Sequence, residues 1–290
     1  MVQVSVIIVN YNTFDFTYKC VTSILDKTRG ITFEIIIVDN ASINFDRLKL
    51  ESLSKQVKVI INYSNIGFAK ANNAGIKESC GSVILLLNND TYLINDTISI
   101  TYNCLVNNEQ IGVIGCKLLN EDHSWQRSFY NFPSVKSQLK KLMRIKEKPV
   151  NGNKEQFVPW ITGAFLMFKK SSLEIFPEHK LNDDFFLYCE DIQWGFNFKK
   201  NNLNAFYFPN GAIVHYQGKS SSHDSDFNKK LKFYYPNLMK LLKMEHGYLY
   251  AKTYFFLLIL IFLSDVKHNS LRSKIIPLLL ILFNIKKPRV

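Results

Sequence analysis

The chain has 290 residues, 47% of them hydrophobic and 21% charged, with a formal net charge of +12. That balance builds a substantial core and excludes a disordered or collagen-like chain. Five cysteines, an odd number without a C-x-x-C pair, argue against a disulfide scaffold or structural zinc site and fit a reducing compartment. The sequence enters a strand-like pattern at once (MVQVSVIIVNYN), without the basic region, long apolar stretch and cleavage site of a signal peptide.

In chain order, Val4–Val9 reads as a buried strand, Phe16–Leu25 as a helix, and Phe33–Val38 and Val57–Ile61 as strands two and three. Phe68–Ser79 reads as a helix with Gly81 just past its end, and Val83–Leu87 as a fourth strand. Strand–helix alternation predicts an α/β fold, a mostly parallel Rossmann-like sheet with helices on both faces. In such sheets ligands collect at the carboxyl ends of the strands. The polar clusters fall there: Asn10-Tyr11-Asn12, Asp39-Asn40, Asn65-Ile66-Gly67 and Asn88-Asn89-Asp90. One Asx-rich turn usually satisfies its own backbone. Four at one sheet edge point to a binding site.

The positive charge is local. Lys219–Val290 carries 13 Lys/Arg against 4 Asp/Glu, Lys136–Lys148 carries six against one, and the remaining body is nearly neutral. The C-terminal excess is interleaved with two apolar runs, Tyr254–Leu263 and Ile275–Ile285, the second broken by Pro277. Both fall short of the roughly 18–20 residues that a spanning helix needs. They read either as core helices or as an anchor lying on an acidic leaflet, and the mixture of Leu/Ile/Phe with Lys/Arg fits the second better. Nucleic acid is not an expected partner, because no recognition motif accompanies the charge. Lys136–Lys148 reads as an exposed segment that attracts a lipid-diphosphate acceptor or the membrane, or simply as a solvated helix face.

SVIIVNYNT (5–13), IIIVDNAS (35–42), NIGFAKANNAGI (65–76) and LLLNNDTYL (85–93) resemble the nucleotide-sugar half of family-2 glycosyltransferases, and within them the rhamnosyltransferase-like bacterial members. WITGAFLMFKK (160–170), FFLYCEDIQW (185–194) and HYQGKSS (215–221) resemble the acceptor half. The ordered set runs from Val4 to Ser221. The resemblance implies a GT-A fold over 1–235, divided into a nucleotide-sugar half (1–120) and an acceptor half (121–235). A basic, apolar, membrane-associating helical tail (236–290) would follow. It also implies an inverting transfer from a UDP- or dTDP-sugar, with rhamnose leading, to a lipid-linked or polysaccharide acceptor. The setting would be the cytoplasmic face of the membrane during surface-glycan assembly.

A departing nucleoside diphosphate concentrates negative charge, and a hard divalent ion on oxygen ligands offsets it. Asp90 matches the last Asp of the family's D-x-D-like motif and would hold Mn²⁺ or Mg²⁺. The first position is the neutral, poorer ligand Asn88, and His215 in H-x-x-G-K-S matches a late His near metal and diphosphate. Asp39 matches the acidic residue on the nucleoside, although Asp-Asn after a strand is also ordinary turn chemistry. Tyr11, Gly67, Lys70, Asn73, Asn89 and Lys219 complete the expected donor contacts, with Ser220 and Ser221 beside Lys219. Inversion requires a base for the acceptor hydroxyl. By motif position that is Asp191, with Glu190 orienting it or touching the acceptor. Trp160, Thr162 and Gly163 fall where the family builds its acceptor platform. Gln193 and Lys199 depart from the family's Asp and Arg, which puts specificity in question more than activity. A sugar-1-phosphate nucleotidyltransferase would carry a Gly- and Lys/Arg-rich loop after strand one, where Asn10-Tyr11-Asn12-Thr13 stands instead. A glycan- or membrane-binding module that has lost activity remains the other alternative.

Overall fold

The structure is a computed structural model that describes residues 1–146, 149–216, 230–264, 278–279 and 281–283. Two compact units divide the chain: Met1–Asn131 with Asn151–His223, and Phe132–Val150 with Asp224–Val290.

The first unit opens β1 (Val4–Asn10), α1 (Phe14–Lys27), β2 (Phe33–Asp39), α2 (Arg47–Glu51), β3 (Val57–Ile61), α3 (Phe68–Lys77) and β4 (Val83–Asn88). Each strand and long helix read from the hydrophobic pattern is present, with ends moved by one or two residues. α1 starts two residues early because Thr13 begins the helix and Asp15 suits its first turn, while Lys27 suits its last. β1 pairs in parallel with β2 and β4, and β2 with β3, so all four carboxyl ends share one edge.

Side chains of β1 alternate between two helical layers. Val4, Val6 and Ile8 join Cys20, Val21 and Ile24 of α1 in the main core cluster. Ile7 faces the other way, where a Cβ on Gly75 of α3 would come within 2.5 Å of its Cγ2. Glycine at that position lets α3 lie close on the sheet.

Beyond β4 follow β5 (Thr91–Leu93), α4 (Thr97–Val106), β6 (Ile111–Leu119), β7 (Trp125–Gln126) and β8 (Phe129–Tyr130). In the second unit lies α5 (Val135–Leu142). The first unit then resumes with β9 (Gln156–Val158), β10 (Trp160–Ile161), β11 (Phe165–Lys169), α6 (Glu190–Lys200) and β12 (Asn204–His215). The sheet order is β3-β2-β1-β4-β11-β6-β12-β5, with β7 on β6, β9 on β12, and β8–β10 a separate ribbon. β11 enters antiparallel between β4 and β6, while β6 and β12 run parallel. That insertion pairs the later elements with β4 along Val83–Leu87.

Among its described residues the second unit holds α5, a π-helical turn at Lys230–Tyr234, α7 (Tyr235–His246) and α8 (Tyr248–Ser264), here numbered after α6 in chain order. Ser134 caps α5 by accepting from the Ser137 amide, and Tyr250 of α8 accepts from the Val135 amide. Gln138 is buried, whereas Lys136, Lys140, Lys141 and Arg144 are exposed, so this part of the basic segment is a helix with a solvated face. α8 buries Ala251, Tyr254, Phe255, Leu257 and Ile259, and α7 buries Leu238, Met239, Leu241 and Leu242. Among the described residues no helix is long and apolar enough to cross a membrane. Most of the Ile275–Ile285 run lies outside them.

Candidate active site

The four polar clusters meet in one hydrogen-bonded edge, with Asn10 as its hub. Asn10 Nδ2 donates to Asp39 Oδ1 at 2.6 Å and to Ser42 Oγ at 3.0 Å. Its Oδ1 accepts from Thr17 Oγ1 at 2.7 Å, and from Asn89 Nδ2 at 3.2 Å. Asp39 also accepts from the Ser42 amide and hydroxyl, so the turn after β2 is held by its carboxylate, and a nucleoside contact would add to these bonds. Asn89 is buried and donates into Thr13 and Thr17 of the α1 entry, which makes it the link between β4 and α1. Tyr11 stands at the rim, 44% exposed.

The third cluster turns the chain into α3. Asn65 Oδ1 accepts the Gly67 amide, and Asn40 Nδ2 donates to the Gly67 carbonyl. Gly67 adopts φ +88°, and a Cβ there would lie 2.6 Å from the Phe186 carbonyl oxygen, which also accepts the Phe68 amide at 2.9 Å. Gly67→Ala combines a left-handed backbone with that clash and is expected to cost about 1–3 kcal/mol of stability, measurable by urea unfolding. Lys70 is exposed on the first turn. Asn73 is turned elsewhere: its Nδ2 donates to the Leu181 carbonyl at 2.8 Å and its Oδ1 accepts the Leu181 amide at 3.1 Å. It ties α3 to the segment leading toward Glu190. Lys219, Ser220 and Ser221 lie outside the described residues.

Asp90 is 1% exposed, and neither carboxylate oxygen receives a hydrogen bond among the described residues. Burying a carboxylate without donors is costly. Its neighbour is His215, whose Nε2 lies 3.3 Å from Asp90 Oδ1 and 3.3 Å from Asn88 Nδ2. The imidazole is oriented by Gln126. Gln126 Nε2 donates to Asn120 Oδ1 and to the His215 carbonyl, which leaves Oε1 to accept from His215 Nδ1 at 2.6 Å. In the neutral ring the proton therefore sits on Nδ1, and the Nε2 lone pair, which accepts from Asn88 Nδ2, lies beside a carboxylate without a hydrogen-bond donor among the described residues. Oxygen and imidazole lone pairs converging in this way fit a divalent cation, with Gln126 as the outer partner that fixes the ligand tautomer. Among the described residues no group of three or more His, Cys, Asp and Glu could hold a metal. Asp90 and His215 would hold it together with oxygens of the diphosphate.

A second acidic centre lies along the same edge. Tyr188 and Cys189 adopt φ of +68° and +75°, a left-handed turn that delivers Glu190 and Asp191 as the first residues of α6. Asp191 is half-buried; its Oδ2 accepts the Gly163 amide at 3.2 Å and its Oδ1 the Ile192 amide at 2.9 Å. The connection to the metal side is short. The residue after Gly163, Ala164, accepts the Asn88 amide at 3.0 Å. Phe68 lies against Gly163 on the other side, 3.5 Å from where a Cβ would stand. Asp90, His215, Gly67 and Asp191 are thus built onto one continuous set of contacts.

Burial raises the pKa of both carboxyls, Asp191 to about 6 and Glu190, which also feels the Asp191 charge, to about 8. Glu190 is the more buried, and its Oε2 has no hydrogen-bond partner among the described residues. Near neutral pH Glu190 keeps its proton and Asp191 is the ionised member. Because the folded state holds that proton more tightly than the unfolded chain, the stability it contributes is present below the ordinary carboxyl range and is lost as pH rises toward 8. Glu190→Gln is therefore expected to melt close to wild type at pH 4 and above it at pH 8. A melting series across pH checks this.

At the expected acceptor platform Trp160 is stacked on Tyr130 with centroids 5.5 Å apart, and its indole donates to the Asn131 carbonyl. The Thr162 hydroxyl is buried without a partner among the described residues. Gln193 donates to Asp184 at 2.7 Å, so this departure from the family pattern is absorbed locally. The sequence placed Asn10 in the first strand-end cluster but gave it no role of its own, whereas Gln126 had no signal, because β7 is two residues long.

Sheet, strand-end network and paired acidic centres define a GT-A fold, and solved structures agree. A mannosyltransferase from Pyrobaculum calidifontis, in complex with GDP-Man and Mn²⁺, superposes with TM-score 0.65 at 12% identity, over 98% of this chain and 88% of that one. TarS of S. aureus in complex with UDP-GlcNAc does so with TM-score 0.57 at 14% identity, over 97% and 81%. Residues 5–176 match the family model Glycosyl transferase family 2, and the chain belongs to that family. Among curated relatives, the O-antigen biosynthesis protein RfbC of Myxococcus xanthus is 23% identical over 77% of this chain, and an uncharacterized glycosyltransferase of Rickettsia felis is 35% identical over 38%. The chain spans 18% of the length of each.

Proposed function

We propose that the chain is an inverting, metal-dependent glycosyltransferase that moves a sugar from a UDP- or dTDP-sugar to a lipid-linked or polysaccharide acceptor. Rhamnose is the leading sugar by resemblance. The observation that carries the reading is the pairing of two centres on one edge: a buried Asp90 without a hydrogen-bond donor among the described residues, facing His215 Nε2, and a half-buried Asp191 of raised pKa reached through Asn88, Ala164 and Gly163.

Asp191 takes the proton of the acceptor hydroxyl as its oxygen bonds to the anomeric carbon, and the bond from that carbon to the diphosphate oxygen breaks on the opposite face. When bound, a divalent cation on Asp90 and His215 would neutralise charge on the departing diphosphate. Glu190, protonated, keeps a second negative charge away from Asp191. Asp39, Tyr11, Gly67, Lys70 and Lys219 would contact the nucleotide. Asn73 and Asn89 would act through the segments they hold, and Asn88 through His215. Residues 1–235 would form the catalytic part. The helical tail from 236 would lie on the inner face of the cell membrane, near a lipid-linked acceptor. Known proteins support this reading: one structural neighbour is in complex with GDP-Man and Mn²⁺, another is in complex with UDP-GlcNAc, and a relative is an O-antigen biosynthesis protein.

The test incubates the full chain with UDP- and dTDP-sugars, Mn²⁺ and lipid-linked glycans, and reads the product anomer by NMR. Transfer with inversion is expected; retention, or transfer that proceeds at full rate in EDTA, contradicts it.

A further inference from the structure

The second unit carries an apolar surface that its own core does not use. α8 (YLYAKTYFFLLILIFLS) contains no Asp or Glu, and its single charged residue is Lys252. A helix that is apolar all round belongs in a core or against lipid. Among the described residues one side remains open. Leu249, Phe256 and Leu263 follow one another at seven-residue spacing, which on an α-helix drifts by only about 20° per step, so they line one face. They are 79%, 54% and 49% exposed.

At the start of this stripe Tyr248, 55% exposed, lies between two ammonium groups: Lys243 Nζ is 5.0 Å from its ring centroid and Lys252 Nζ 4.6 Å. The combination is an apolar row with an aromatic and cations at its rim. Its complement is a surface with an apolar interior and an anionic layer of phosphates at matching depth. A second copy of α8 would bring no Asp or Glu to meet these cations, whereas a phosphate layer supplies the opposite charge. The charge therefore favours lipid over self-contact.

We propose that α8 lies in the plane of an acidic phospholipid surface, with the stripe Leu249, Phe256 and Leu263 at the boundary between headgroups and acyl chains. Lys243 and Lys252 then sit at the phosphates. This rests on the membrane-surface reading above and adds to it the residues and the orientation. It also accounts for an exposed apolar row where no helix among the described residues is long and apolar enough to cross the bilayer.

The full chain is co-sedimented with vesicles of phosphatidylcholine alone and of phosphatidylcholine with phosphatidylglycerol. Wild type is expected to sediment with the acidic vesicles and to be released as salt is raised. Leu249→Asp and Phe256→Asp each remove an inserted side chain and add a repelled charge, and are expected to weaken binding at least about tenfold. Leu48→Asp, which changes a 78%-exposed leucine of α2 in the first unit, is expected to bind like wild type. Melting temperature and nucleotide-induced stabilisation, measured on each variant, show that the fold is intact. If wild type binds acidic vesicles and both stripe variants bind equally well, the stripe is wrong and the membrane reading stands. If Leu48→Asp weakens binding as much as they do, the effect is general charge and the stripe is again wrong. If wild type binds neither vesicle, both fall. A wild-type dimer by light scattering that becomes monomeric in Leu249→Asp, without vesicle binding, assigns the stripe to self-association and overturns the proposal.

Discussion

Asp191→Asn is expected to lower kcat by about 10²–10⁴-fold, the range that a positioned general base supplies, while nucleotide binding stays at its wild-type level. The substitution is nearly isosteric but changes the hydrogen-bond arithmetic. Two backbone amides, of Gly163 and Ile192, point at the two oxygens of Asp191. An asparagine can accept from only one through its carbonyl, and its own amide then faces the other donor. A modest loss of stability accompanies the loss of the base, so the melting temperature is measured on the same preparation. In the proposed donor pocket Asn10, Asp39, Asn40 and Gly67 bond to one another and to Ser42, whereas Asp191 accepts from Gly163 and Ile192, and that difference in partners lets a catalytic loss be read apart from donor binding. A variant that transfers at the wild-type rate removes Asp191 from the base role. In wild type the acid limb of kcat/KM is expected near pH 6, because Asp191 must be ionised to accept the proton and burial has raised its pKa to about that value. Glu190→Gln is expected to leave this limb almost in place, since Glu190 is still protonated when Asp191 ionises.

How much of this was legible in the sequence follows from how each element is stabilised. β1, β2 and β4 are buried on both faces, so each is written as a continuous β-branched or aliphatic run, and their carboxyl ends display the Asx clusters. The proposed acceptor side is assembled otherwise. β7, β8 and β10 are two residues long, held by long-range pairs such as Thr162 amide to Ser128 carbonyl, and no periodicity can register over two residues. Hence Gln126, which orients His215, had no local signal. Asn73 shows a different limit. Helical spacing put it near Gly67, but spacing does not say which way an amide turns. The partner it takes, the Leu181 backbone, is 108 residues away in the chain. Glu190-Asp191 was legible as an acidic pair after aromatics. That the first residue is the deeper and keeps its proton depends on the left-handed turn at Tyr188 and Cys189, which neither residue type advertises.

Asp90→Ala is expected to abolish the Mn²⁺-dependent stabilisation by nucleotide while leaving the ligand-free protein as stable as wild type, or more so. Both halves follow from one observation, the buried carboxylate without a hydrogen-bond donor among the described residues. Ligand at ~100 times its dissociation constant stabilises the folded state by about 2.7 kcal/mol, which for a chain of this size is a shift of a few degrees. Wild type is expected to show that shift with UDP or dTDP plus Mn²⁺ and to lose it in EDTA. In Asp90→Ala, His215 alone cannot replace an oxygen ligand, so the shift disappears. Without ligand the balance reverses. A buried charge held for a partner that arrives later is a cost to folding, and removing it relieves desolvation. Residues kept for activity are often such liabilities. A residue buried to hold the strand end would behave in the opposite way: Asp90→Ala would then melt lower and still respond to Mn²⁺ with nucleotide. The two roles thus predict opposite signs in one calorimetric experiment, run on two proteins with and without metal.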